Sequence, residues 1–121
     1  MERASFYVRM FTRAETSPDG VAASAAGRIR GLTDDEPSIL IEPYEKLGLY
    51  ANRVTVSLTT LEETALALFD SFLNVASSGW AFVPFDEEWT AREAGWDERR
   101  ADEAFVHPSV RAAFLGVERE R

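Results

Sequence analysis

The sequence predicts one α+β domain, an antiparallel sheet with helices packed on one of its faces. Three stretches carry that expectation. Residues 5–13 (SFYVRMFTR) alternate, with Phe6, Val8 and Met10 on one side and Tyr7, Arg9, Phe11 and Arg13 on the other. Residues 53–59 (RVTVSLT) alternate in the same way, setting Val54, Val56 and Leu58 against Thr55, Ser57 and Thr59. A period of two gathers the apolar side chains on a single face, as in a sheet covered on one side. Residues 61–77 instead keep helical period. Leu61, Ala65, Leu68, Phe69, Phe72, Leu73 and Ala76 form one apolar stripe, the face a helix lays on such a sheet.

The other elements follow from composition and punctuation. After the first strand, Thr16-Ser17-Pro18-Asp19-Gly20 has turn chemistry, because Pro18 fixes φ and Gly20 is free to take positive φ. Residues 21–32 (VAASAAGRIRGL) read as a helix through their alanines; Gly27 and Gly31 weaken it and leave a hairpin strand as the other reading. Asp34-Asp35-Glu36-Pro37 closes that segment, since a residue before proline is driven out of helical geometry. Residues 38–42 (SILIE) form a short apolar strand that Pro43 ends, and residues 44–52 a loop or helical turn. Thr60 and Glu63 make a capping box for the helix 61–77, and Gly79 stands where a left-handed cap stops it. Residues 80–85 (WAFVPF) are a last strand, confined by Pro84 to an edge.

Residues 86–121 change character, with ten acids and six arginines around Trp89 and Trp96. Asp86 caps a short helix over 87–94 that Gly95 interrupts, Asp97 caps another through about Phe105, and Pro108 suits the first turn of a last helix carrying Val110, Ala113, Phe114 and Val117. The order strand, helix, strand, strand, helix, strand is the split βαβ order of a single-domain, ferredoxin-like βαββαβ sandwich. Residues 1–85 are then the α+β core, and 86–121 an acidic helical C-terminal segment packed on the same domain. This architecture serves many functions and selects none.

Composition narrows the function classes. The 121 residues include no cysteine, which excludes disulfides, thiol nucleophiles, Fe–S clusters and thiolate zinc sites. With a single histidine, His107, a multi-histidine metal site is excluded as well. No apolar run reaches the length of a membrane span, and Met1-Glu2-Arg3 does not open a secretory signal, so a cytoplasmic protein is expected. The net charge is −8. It is uneven: residues 1–33 carry five arginines against three acids, and residues 34–121 carry eight basic and eighteen acidic residues. A phosphate backbone repels such a chain, whereas a basic protein surface attracts it.

No catalytic or nucleotide-binding motif is present. The sequence lacks a nucleophile elbow and a glycine-rich phosphate loop, and His107 has no partner at a telling spacing. The acidic runs Asp34-Asp35-Glu36, Glu62-Glu63 and Asp86-Glu87-Glu88 read as caps and solvated surface before they read as acid–base or Mg²⁺ chemistry. No cofactor is expected. The unusual constellation is Asp86, Glu87, Glu88, Trp89, Glu93 and Trp96, in which acids surround two tryptophans. It suits charge steering followed by aromatic anchoring on a basic partner protein. The expectation is therefore a small non-enzymatic inhibitor of the toxin-immunity or anti-defence type. The other reading is a ligand-binding protein or enzyme of dimeric ferredoxin-like type, with Tyr7, Tyr50, Trp80 and His107 as its groups of interest. A third surface, the basic-aromatic face Tyr7, Arg9, Phe11 and Arg13, resembles sheets that stack single-stranded bases, but two arginines are few for that task.

Overall fold

The computed structural model describes residues 2–13, 17–46, 50–82 and 91–120. Strand β1 (Arg3–Thr12) leads through helix α1 (Pro18–Arg30) to β2 (Ser38–Lys46) and β3 (Tyr50–Leu61). Helix α2 (Glu62–Leu73) follows, then β4 (Trp80–Phe82), β5 (Ala91–Asp97), a single 3₁₀ turn and β6 (Val110–Arg119). The architecture is mixed α+β: two helices and one six-stranded sheet in the order β2-β3-β1-β6-β5-β4. Every adjacent pair is antiparallel.

The two alternating segments are β1 and β3, paired from Arg3 opposite Leu61 to Thr12 opposite Asn52. Phe6, Val8, Met10, Val54, Val56 and Leu58 are buried, and the helices cover them. Helix α2 contributes Ala65, Leu68, Phe69 and Phe72, four members of its predicted stripe. Helix α1 contributes Val21, Ala22, Ala25, Ala26 and Ile29, so its alanines let it lie close to the sheet.

Several expectations are corrected. The segment Ser17–Gly20 opens α1 instead of making a turn: Ser17 is the N-cap residue and Pro18 occupies the first helical turn, where its missing N–H costs nothing. Thr60 does not cap α2. It is the penultimate residue of β3, buried, and its hydroxyl donates to Asp35 at 2.7 Å, so the N-cap position falls to Leu61. Helix α2 ends at Leu73, before Gly79, whose φ of 96° serves a later turn. A Cβ there would sit 2.8 Å from Trp96 Nε1 and from Ala101, so the close approach also requires glycine. Pro43 does not end β2, which runs to Lys46; on an edge strand a residue without an N–H is tolerated.

The largest correction concerns the C-terminal third. The predicted helices at 97–105 and beyond Pro108 do not form, apart from one 3₁₀ turn at Glu98–Arg100. Residues 91–97 and 110–119 are strands instead, and β6 lies between β1 and β5. Alanine, glutamate and arginine favour a helix locally, but a ladder of nine residue pairs beside β1 overrides so weak a preference. The sheet consequently has six strands where four were expected. Pro84 and the rest of 83–90 lie outside the described residues.

The connection between β5 and β6 is held by Phe105. Its ring stacks on Trp96 at 5.6 Å, meets Trp80 edge-on at 5.5 Å and lies 6.1 Å from Phe72. Phe105→Ala is expected to destabilise the protein by about 3–5 kcal/mol through lost transfer energy and the cavity left behind. Urea denaturation checks this; a change within experimental error would show that the loop is not part of the core.

Candidate functional site

Both helices lie on one side of the sheet, so its other face is built from the alternate residues. From β1 these are Tyr7, Arg9 and Phe11. Their neighbours on β6 are Gly116, Phe114 and Ala112, and on β3 Ser57, Thr55 and Arg53. Strand β5 adds Glu93, Gly95 and Asp97 opposite the same three β6 residues. Small residues on β5 and β6 lower the floor of this face, and aromatic side chains rise from it.

Gly116 is where Tyr7 crosses. A Cβ at Gly116 would overlap the Tyr7 ring, so the glycine is the space the ring occupies. Spanning β6, the phenol donates to Glu93 Oε1 at 3.1 Å. Burial pushes the Tyr7 phenol up to about 12, aided by the Glu93 charge and hydrogen bond, while the Arg9 guanidinium 5.5 Å from the ring opposes the shift.

The centre of the face is aromatic. Phe11 contacts Tyr44 at 5.0 Å, Tyr50 at 5.4 Å and Phe114 edge-on at 6.0 Å. Phe11 is nearly covered by these neighbours, whereas Phe114 is 48% exposed. Arg53 lies 5.2 Å from the Tyr44 ring and is paired with Glu42 at 3.0 Å. These rings wall a cavity of about 360 Å³ that reaches Gly95, Asp97 and Arg100. Two hydrogen bonds from the Arg99 guanidinium hold the Asp97 carboxyl below the usual carboxylate range.

Of the predicted acidic–tryptophan constellation the structure describes Glu93 and Trp96, which point to opposite faces of β5. Asp86, Glu87, Glu88 and Trp89 lie outside the described residues. Glu93 is exposed on the open face, beside Tyr7. Trp96, expected as an exposed anchor, is instead 3% exposed and belongs to the core, with Nε1 donating to the Ser78 carbonyl at 3.0 Å. The reason is period: in strand β5, Ala94 and Trp96 point to the helices while Glu93, Gly95 and Asp97 point away.

The groups of the ligand-binding reading do not converge either. Tyr7 and Tyr50 belong to the open face, but Trp80 packs on Phe105, and His107 Nδ1 is held by Ser109 through its backbone N–H at 3.2 Å and its hydroxyl at 2.8 Å. Arg13 leaves the basic-aromatic face as well: the register shifts after Phe11, and Arg13 pairs with Glu98. Sequence reading assigned no site role to Tyr44 or Phe114, which the structure sets beside Phe11. The available signal was a second alternation, Ala112-Phe114-Gly116 against Ala113-Leu115-Val117. Among the described residues no group of three or more His, Asp or Glu side chains is placed to hold a metal ion. No described helix is long and apolar enough to cross a membrane. Compared with protein-family models and with curated proteins, the sequence matches none.

The Tyr7 shift has a sign that can be measured. The folded-state value lies above the ordinary 10.0, so Tyr7 contributes stability fully below pH 10, and that contribution is lost as pH rises through about 12. Unfolding free energy of the wild type should fall across this window more steeply than that of Tyr7→Phe. Tyrosinate absorbance should show the highest-pH step missing in the variant; identical titrations would contradict the Tyr7–Glu93 contact.

Proposed function

We propose that the protein is a non-enzymatic binding module of the acidic inhibitor kind, and that it meets a basic protein partner with the open face of its sheet. The carrying observation is the half-exposed Phe114 beside the Phe11–Tyr44–Tyr50 cluster, on a face that neither helix covers. An aromatic centre edged by the charged groups Glu42, Arg53, Glu93 and Glu118 has the anatomy of a protein interface. A net charge of −8 supports steering toward a basic surface and disfavours a phosphate backbone. On this face Arg53 is already neutralised by Glu42, which leaves Arg9 little help in holding nucleic acid. In this reading the acids set the association rate and the rings set the dissociation rate.

The same reading treats β2-β3-β1-β6 with α1 and α2 as a ferredoxin-like split βαβ core. Strands β4 and β5 extend that core at the β6 edge. A toxin-immunity or anti-defence role is the biological form such an inhibitor takes, and a cytoplasmic site of action accords with it.

A small ligand is the second reading, favoured by the cavity of about 360 Å³, within the range of ligand pockets. Gly95 lies under the Phe114 ring, with a Cβ position 3.4 Å from it, so Gly95→Val would fill that cavity. Native mass spectrometry of freshly purified wild type and Gly95→Val separates the readings. A small molecule retained only by the wild type supports the ligand.

The protein-partner reading is checked by quantitative affinity capture from the native host, comparing wild type with Phe114→Glu. The variant is expected to lose the partner, and calorimetry with that partner should show affinity weaker by about tenfold or more. A partner captured equally by both proteins, or none enriched by the wild type over the variant, would overturn the assignment of this face.

A further inference from the structure

The four large hydrophobic side chains exposed among the described residues are Leu32, Ile39, Leu40 and Phe114. Phe114 belongs to the open face. Ile39 and Leu40 lie on β2, the strand at one end of the sheet, and Leu32 lies in the connection that leads into it. Ile39 is 46% exposed and Leu40 56%, and they point to opposite faces of that strand, Ile39 opposite Val56 and Leu40 opposite Thr55. Leu32, 47% exposed, lies in the connection from α1 to β2. A partner on the helix side would cover Ile39 alone, and one on the open face Leu40 alone. Only a strand added to the edge of the sheet covers both.

Strand β2 is the terminal strand of the sheet, and no described residue pairs with its outer edge. Natural edge strands are blunted by charge, by shortness or by proline. Here Ser38-Ile39-Leu40-Ile41 carries no charge, and Glu42 just beyond it is paired with Arg53 of the same chain. The prolines stand only at the ends, Pro37 and Pro43. The segment Pro37-Ser38-Ile39-Leu40-Ile41-Glu42-Pro43 is nearly symmetrical about Leu40. That symmetry identifies the strand that fits.

We propose that β2 is a self-association edge, where a second copy of this chain adds its own β2 antiparallel about a two-fold axis at Leu40. This register places Leu40 opposite Leu40 on the open side. On the helix side it sets Ile39 opposite Ile41 of the other copy, twice. Ser38 meets Glu42, and Pro37 meets Pro43, so both ends of the ladder close where an N–H is missing. Two six-stranded sheets become one continuous sheet, and the isologous contact is self-limiting. The open aromatic face stays free in both copies, so this inference stands independently of the function proposed for that face.

The absence of cysteine makes the test clean, because any introduced thiol is the only one. Sedimentation equilibrium of the wild-type chain is expected to show a reversible monomer–dimer equilibrium. Leu40→Lys should weaken it by roughly tenfold or more while leaving the urea unfolding midpoint close to wild type, since the side chain is exposed. Under mild oxidation, Leu40→Cys should form a covalent dimer faster than Phe114→Cys, because a two-fold pair of Cα atoms on adjacent strands lies within disulfide reach. A wild type that stays monomeric up to its solubility limit would overturn the proposal. So would a dimer unaffected by Leu40→Lys, or one that Phe114→Cys cross-links faster.

Discussion

Strand β1 is paired along its whole length on both sides, to β3 and to β6. Every other feature of the molecule depends on that double ladder. A central strand with period-2 alternation has two faces to satisfy, and both helices lie over the one carrying Phe6, Val8 and Met10. The second face must then manage its own exposure. It does so with small residues on β5 and β6, with Tyr7 laid over Gly116, and with an aromatic cluster in which Phe11 is nearly covered by its neighbours.

Charge serves the same arrangement. Glu98 lies between Arg13 and Arg111, Glu62 pairs with Arg119, and Glu42 pairs with Arg53. Glu98 ties the 3₁₀ turn to the end of β1 and to β6, Glu62 ties the start of α2 to the end of β6, and Glu42 and Arg53 join neighbouring strands; each pair is partly exposed, so its worth lies in position more than in free energy. The acids left over, Glu93 and Glu118 among them, give the open face its negative edge. The aromatic patch of Phe11, Tyr44, Tyr50 and Phe114 thus sits beside carboxylates on the same face.

What was legible in the sequence is what local period can carry. Strands β1 and β3 and the stripe of α2 follow from alternation and helical spacing alone; their inward residues are buried, except that Leu61 and Leu73 at the ends of the helix are only partly covered. Helix α1 was visible in its alanines, although Pro18 reads equally as a turn residue and as a first-turn residue. Strands β5 and β6 were not legible from composition, because Ala, Glu and Arg favour helix until a neighbouring strand supplies the ladder. The site suffered from the same cause. Trp96 taken as helical is a surface anchor, and Trp96 in β5 is core. Phe114 taken as helical is core, and Phe114 in β6 is the exposed ring of the open face. Only Glu93, of the residues first assigned to a partner surface, is seen on that face; Tyr7, Arg9 and Phe11 reached it through the clean alternation of β1.

The position of β6 beside β1 is therefore the claim on which fold and function both stand, and nuclear magnetic resonance tests it most directly. The account predicts cross-strand contacts between the backbones of Tyr7 and Gly116, extended-chain carbon shifts over residues 110–119, and Gly116 α-protons moved strongly upfield by the Tyr7 ring. Helical shifts over 110–119, or Gly116 protons at ordinary positions with no contact to Tyr7, would contradict it.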